Sequence, residues 1–174
     1  MATRQFKAHQ EKGNHEVGNL SSLKVKTVAH GAICGEDIDN FTIVELSHNA
    51  EGERVAVQLT DATKKGYLIA SPETRYMGED FVDYYNGEGE RARIVILEPH
   101  YTRFDSSAFD AAGVSEIKNG QVAYFDPSSK KFVILPAGTA DATYTGAADK
   151  FLVVSNEEDI EYTLGKATVR FEVQ

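Results

Sequence analysis

The residues able to do chemistry are few and scattered. Histidines stand at His9, His15, His30, His48 and His100, and the single cysteine is Cys34. His30 and Cys34 form an H-x3-C pair, but no second pair follows at the spacing that closes a tetrahedral zinc site. A cysteine nucleophile needs a base and an orienting acid beside it. Cys34 sits alone in a turn-rich stretch and reads as a small apolar filler. Asp37-Ile38-Asp39-Asn40 opens like a calcium loop, with oxygens at alternate positions, yet the glycine and the distal bidentate glutamate of that loop are missing. It reads instead as an Asx-rich turn ahead of Phe41. Glu157-Glu158-Asp159 sets acids side by side, which suits a solvated turn better than the opposed carboxylates of glycoside hydrolysis. The chain carries no G-x-S-x-G elbow, P-loop or G-x-G-x-x-G. No catalytic residue, metal ligand or cofactor site is assigned, and the expectation is that the protein is not an enzyme. Tyr76, Tyr84, Tyr85 and Tyr101 offer stacking surfaces for sugars, although the absence of Trp weakens a carbohydrate-binding role.

Composition narrows the field further. A formal charge of −9 argues against nucleic acid as a partner, because such binders present a basic face to the phosphates. The charge is uneven: residues 1–30 hold five Lys/Arg against two Asp/Glu, so a mildly basic leader precedes an acidic body. No window approaches the roughly 18 apolar residues of a membrane span, and Met1 to Gln10 lack the apolar stretch of a signal peptide. With one cysteine there is no internal disulfide, which suits a reducing cytoplasm.

The elements that must position these residues are mostly strands. Residues 1–22 show neither helical stripe nor clean alternation and are punctuated by Gly13, Asn14, Gly18 and Asn19. They read as an extended arm which, at about 3.3 Å per residue, reaches on the order of 70 Å. Nine short runs rich in β-branched and aromatic residues follow: 23–28, 41–46, 54–59, 66–70, 91–97, 121–125, 132–135, 151–154 and 167–173. Asn49-Ala50-Glu51-Gly52 and Asp126-Pro127-Ser128-Ser129 supply hairpin turns. The spacing of Phe81, Tyr84 and Tyr85 predicts one short helix over Gly78 to Asn86.

Two stretches repeat loosely and in order. Asp37 to Val44 is echoed by Glu116 to Ala123 at an offset of 79, and Lys65 to Glu73 by Lys150 to Glu157 at an offset of 84. The expected fold is therefore all-β: an arm (1–22) and two small related barrel or sandwich modules (23–100 and 107–174), with at most one or two short helices.

These features together resemble the head decoration, or cement, proteins of tailed bacteriophages. The resemblance rests on the polar arm ending in Val17-Gly18-Asn19-Leu20 and the strand opening at Asp37-Ile38-Asp39-Asn40-Phe41-Thr42-Ile43-Val44. It continues through Tyr67-Leu68-Ile69-Ala70-Ser71-Pro72-Glu73 and the 91–97 strand leading to Phe104-Asp105-Ser106-Ser107-Ala108-Phe109. It implies a protein made in the host cytoplasm that attaches to the outer capsid surface, binds the major capsid protein and forms a homotrimer. Arg4, Phe6, Lys7, Lys12, Val17 and Leu20 are then the arm residues expected to meet the capsid. The alternative expectation is a tail- or fibre-associated β module that binds host-surface glycans.

Overall fold

Among the described residues, alternating apolar residues bounded by Gly, Asn and Pro fold into thirteen strands in two sheets. The computed structural model describes residues 25–73, 84–159, 161–163 and 166–174. The expected arm lies outside these, as does the 78–83 part of the expected helix. The tail of that helix is described and is extended, with Asn86 bridged to Ile38.

The first sheet holds β1 (Ala32–Cys34), β2 (Ile43–His48), β3 (Arg54–Gln58), β4 (Tyr67–Ile69), β5 (Arg91–Ala92) and β6 (Ile94–Val95) in the order β5-β1-β3-β2-β4-β6. Since β5 and β6 are two halves of one stretch divided only by Arg93, the sheet meets itself and closes into a small barrel. The second contains β7 (Arg103–Ser106), β8 (Phe109–Asp110), β9 (Val122–Asp126), β10 (Lys131–Leu135), β11 (Phe151–Val153), β12 (Glu161–Thr163) and β13 (Lys166–Val173). Its order is β12-β13-β11-β9-β10-β8, with β7 also on β13. The stretch 103–110 thus reaches both sides of the sheet and curls it in the same way. The helical elements among the described residues are a one-turn helix, α1 (Ala142–Gly146), capped by Asp141, and a 3-10 turn at Glu157–Asp159.

The connectivity of one barrel is repeated in the other. β1 lies parallel to β3 as β8 does to β10, and the antiparallel pairs β3–β2, β2–β4 and β4–β6 match β10–β9, β9–β11 and β11–β13. The register agrees residue by residue. Ile43 faces Leu68, and Val122 faces Leu152, at the offsets of 79 and 84 seen in the sequence. Phe41 N–H donates to Ile69 O at 2.8 Å, and Gly120 N–H to Val153 O at 2.9 Å. Both of these turn residues have positive φ, +57° and +92°. Glycine suits that conformation, whereas Phe41 is held there by its burial in the core.

Burial is divided unequally. The interior of the first barrel is small: Ala32, Cys34, Ile38, Val44, Ala56, Ile69, Ala92 and Ile94. A larger cluster combines Phe41, Ile43, Leu59, Leu68, Ala70, Val95 and Leu97 from the first half with Phe104, Phe125, Phe132, Phe151, Phe171 and their aliphatic neighbours from the second. Alternate residues of β2, β4 and β6 therefore face the second half rather than water, and one core serves both. The seam is also hydrogen-bonded, because Ala148 N–H donates to Ala62 O and Gly66 N–H to Asp149 Oδ2.

Candidate functional site

The arm residues singled out from the sequence, Arg4, Phe6, Lys7, Lys12, Val17 and Leu20, lie outside the described residues, as does Tyr76. The other flagged groups fall into structural places. Cys34 is buried, and burial together with Glu90, Asp37 and Glu36 pushes its thiol up to about 12, so it stays protonated. In the Asx run, the Asn40 side chain staples Ser71, accepting from its N–H and donating to its carbonyl, each at 2.9 Å. Asp37 accepts from Glu88 N–H at 2.8 Å. Glu157 accepts from Ile117 N–H at 3.0 Å, which closes a loop. Among the described residues no group of three or more His, Cys, Asp or Glu could hold a metal ion. Tyr84 and Tyr85 are buried, because the 84–86 stretch packs onto the first barrel. Tyr84 shows only its edge to a groove described below, and of these tyrosines Tyr101 is exposed.

What the fold gathers instead is a cationic rim at one end of the first barrel. The chain reverses between Val28 and β1 through two consecutive left-handed residues, His30 (φ +61°) and Gly31 (φ +60°). Gly31 is required here twice over, since a Cβ would lie 2.0 Å from the carbonyl oxygen of Ala92. The turn points its carbonyls at two guanidinium groups. Arg54 Nη1 donates to Ala29 O at 2.8 Å and to Gly31 O at 3.2 Å, and Arg91 Nη1 donates to His30 O at 2.9 Å. Arg91 also pairs with Glu53 at 3.1 Å, where both side chains are half exposed. Arg93 donates its Nε–H to Ala70 O, and burial holds its guanidinium below the usual value.

Two grooves flank this ridge. One, of about 350 Å³, is lined by Ala29, His30, Gly31, His48, Gly52, Glu53, Arg54 and Arg91. The other, of about 720 Å³, runs along Thr27, Ser71, Tyr84, Glu90 and Arg93 on the far side of Arg91. The sequence shows that β3 and the 91–97 run each begin with arginine, but they are 37 residues apart. Only the parallel pairing of β1 with β3 and the antiparallel pairing of β1 with β5 bring both onto one turn.

A family model described as YonC prophage protein matches residues 11–174. The chain belongs to this prophage family. Across 175 residues it is 58% identical to the SPbeta prophage-derived protein YonC of Bacillus subtilis (strain 168), covering 99% of this chain and 98% of the relative. No solved structure matches. The fused barrels and the rim described above are thus features of a member of this prophage protein family. Among the described residues no helix is long and apolar enough to cross a membrane.

Proposed function

We propose that the protein is a structural virion component that attaches to the outer surface of an assembled phage capsid and stabilises it by bridging capsid subunits. The observation that supports this reading is the architecture found in a prophage family: two barrels of one plan, fused through a continuous core. Such a body is stiff, and closure leaves few free strand edges for unwanted pairing. In this reading the protein is not an enzyme, its partner is the major capsid protein, and three copies associate around a symmetry axis. The segment 1–22 supplies the spanning contact, with Phe6, Val17 and Leu20 as apolar anchors and Arg4, Lys7 and Lys12 facing acidic groups. A segment that orders on its partner loses conformational entropy but covers a large surface with few residues. Many linked copies then make loss of any one slow.

The test compares the full chain with a deletion of residues 2–20 for thermal melting and for co-sedimentation with purified capsids at matched salt. The expected result is an unchanged melting temperature and markedly weaker attachment by the deletion. Equal attachment by both forms would move the contact to the barrels. No attachment by either would refute the decoration reading.

A further inference from the structure

The cationic rim ties β3 and β5 to the turn before β1, and it does so with charged groups where neutral donors would serve. A backbone carbonyl fixes a guanidinium in place without neutralising it. Among the described residues Arg54 bonds only to carbonyls, so its charge is positioned and uncompensated. In the smaller groove Arg54 and Arg91 stand with His30 and His48 against one carboxylate, Glu53. That is a local excess of cation on a chain whose net charge is −9. The stapled turn and the paired strands hold these groups in advance, so a ligand would not have to order them.

We propose that this groove binds a single carboxylate side chain, set among neutral residues, of a partner polypeptide. A guanidinium fork matches a carboxylate through two parallel hydrogen bonds, and charge-assisted bonds of this kind are the stronger ones. The walls discriminate against a polyphosphate. Glu53 lies in the groove, Glu51 is on the same hairpin and Glu90 is beside Arg91, so phosphates flanking the first would meet like charge. Nucleic acid requires a run of basic contacts, whereas one carboxylate needs only the fork. The proposal does not depend on the capsid reading, since any protein surface that presents an isolated carboxylate could supply the ligand.

The experiment follows backbone amide and arginine Nε–Hε signals by NMR while the full chain is titrated with an acetylated, amidated peptide that holds one glutamate among neutral residues. Inorganic phosphate and a short DNA duplex serve as comparison ligands. The expected result is a saturable displacement of the Arg54, Arg91, His30 and Gly31 signals by the peptide, larger than with phosphate and weakened by salt. Arg54→Gln should weaken binding at least about ten-fold, the loss of one charge-assisted pair, while keeping a dispersed spectrum. Should that variant not fold, Arg91→Gln serves in its place, and the wild-type map already locates the site. No displacement of these signals, equal affinity in the variant, or tighter binding of the duplex than of the peptide would each overturn the proposal.

Discussion

If one core serves both barrels, damage deep in the second must open the first. Phe132 is the perturbation of choice, because it is fully buried and its ring meets four others: Phe171 at 4.7 Å, Phe151 at 5.1 Å, Phe125 at 5.2 Å and Phe104 at 5.5 Å between centroids. Replacing a buried phenylalanine by alanine costs about 3–5 kcal/mol, and the lost ring–ring geometry places Phe132→Ala toward the upper end. Against a typical total of about 5–15 kcal/mol the variant folds but is marginal. The first barrel contains its own reporter. Cys34, the single cysteine, is buried in the small cluster that excludes Phe132, and its thiol reacts only when that barrel opens. With cooperative unfolding, labelling of Cys34 by a thiol reagent should accelerate on the order of a hundred- to several-thousand-fold in Phe132→Ala, as every 1.4 kcal/mol is tenfold. Near-ultraviolet circular dichroism should lose its aromatic signal in the same urea transition. If Cys34 labelling is unchanged while the aromatic signal is lost earlier, the barrels unfold independently and the continuous core is energetically empty.

Other residues give sharper local tests. Gly31→Ala forces a Cβ into the Ala92 carbonyl at positive φ and should cost at least about 2 kcal/mol, read as a lowered urea midpoint. Asp149 sits at the seam, where burial raises its carboxyl above the ordinary value of 3.8 despite the bond from Gly66. Since the folded state holds that proton more tightly, this residue's contribution to stability declines as pH rises from 3.8 through the raised value. Asp149→Asn should remove the decline and leave stability at neutral pH equal or higher, as urea midpoints across that range would show. Asp149→Ala, by contrast, leaves the buried Gly66 N–H without its acceptor and should cost about 1–3 kcal/mol at every pH. Arg170 makes a bidentate pair with Asp105, which is 4% exposed, so Arg170→Ala should cost about 3 kcal/mol by chemical denaturation and less in Arg170→Ala/Asp105→Asn.

Eight of the nine runs read as strands contain paired strands. Of the 23–28 run, residues 23 and 24 lie outside the described residues and the rest makes a single bridge, Thr27 to Val95. Both hairpin turns lie where their Asn, Asp and Gly residues predict. Asn49 accepts from Glu53 N–H at 2.8 Å, and Asp126 from Ser129 N–H at 2.9 Å. Their signal is local, which is why it is legible. The strands that escaped are β1, β7, β8 and β12, each of two to four residues; β1, β7 and β8 are held by partners distant in sequence, and β12 is a three-residue strand on its neighbour β13. The single turn α1 was invisible to periodicity, since Ala142–Gly146 is too short for a stripe and buries none of its residues. The cationic rim was illegible for a related reason. Arginine at the start of a strand looks like ordinary solvation, and only the closure of the first barrel places Arg54 and Arg91 on one reversal.

The weakness of the sequence echo has a physical cause that also explains the asymmetry of the molecule. At equivalent ladder positions the first barrel has Ala56, Tyr67 and Ile94 where the second has Phe132, Phe151 and Phe171. Interiors must be filled to near-crystalline density, and the first is filled by small aliphatic side chains where the second stacks phenylalanines, so the two diverge in residue type even where they share pairings. The outward positions diverge for the opposite reason. Ile43, Leu68 and Val95 are fully buried against the second half, whereas their counterparts are Val122, Leu152 and Glu172, the last an acid that pairs with Arg103. An apolar outer face on one barrel alone fuses the two at a single seam rather than leaving a matching sticky face on the other. At the position equivalent to Val95 the second barrel thus carries an ion pair, Glu172 with Arg103, in place of an apolar contact.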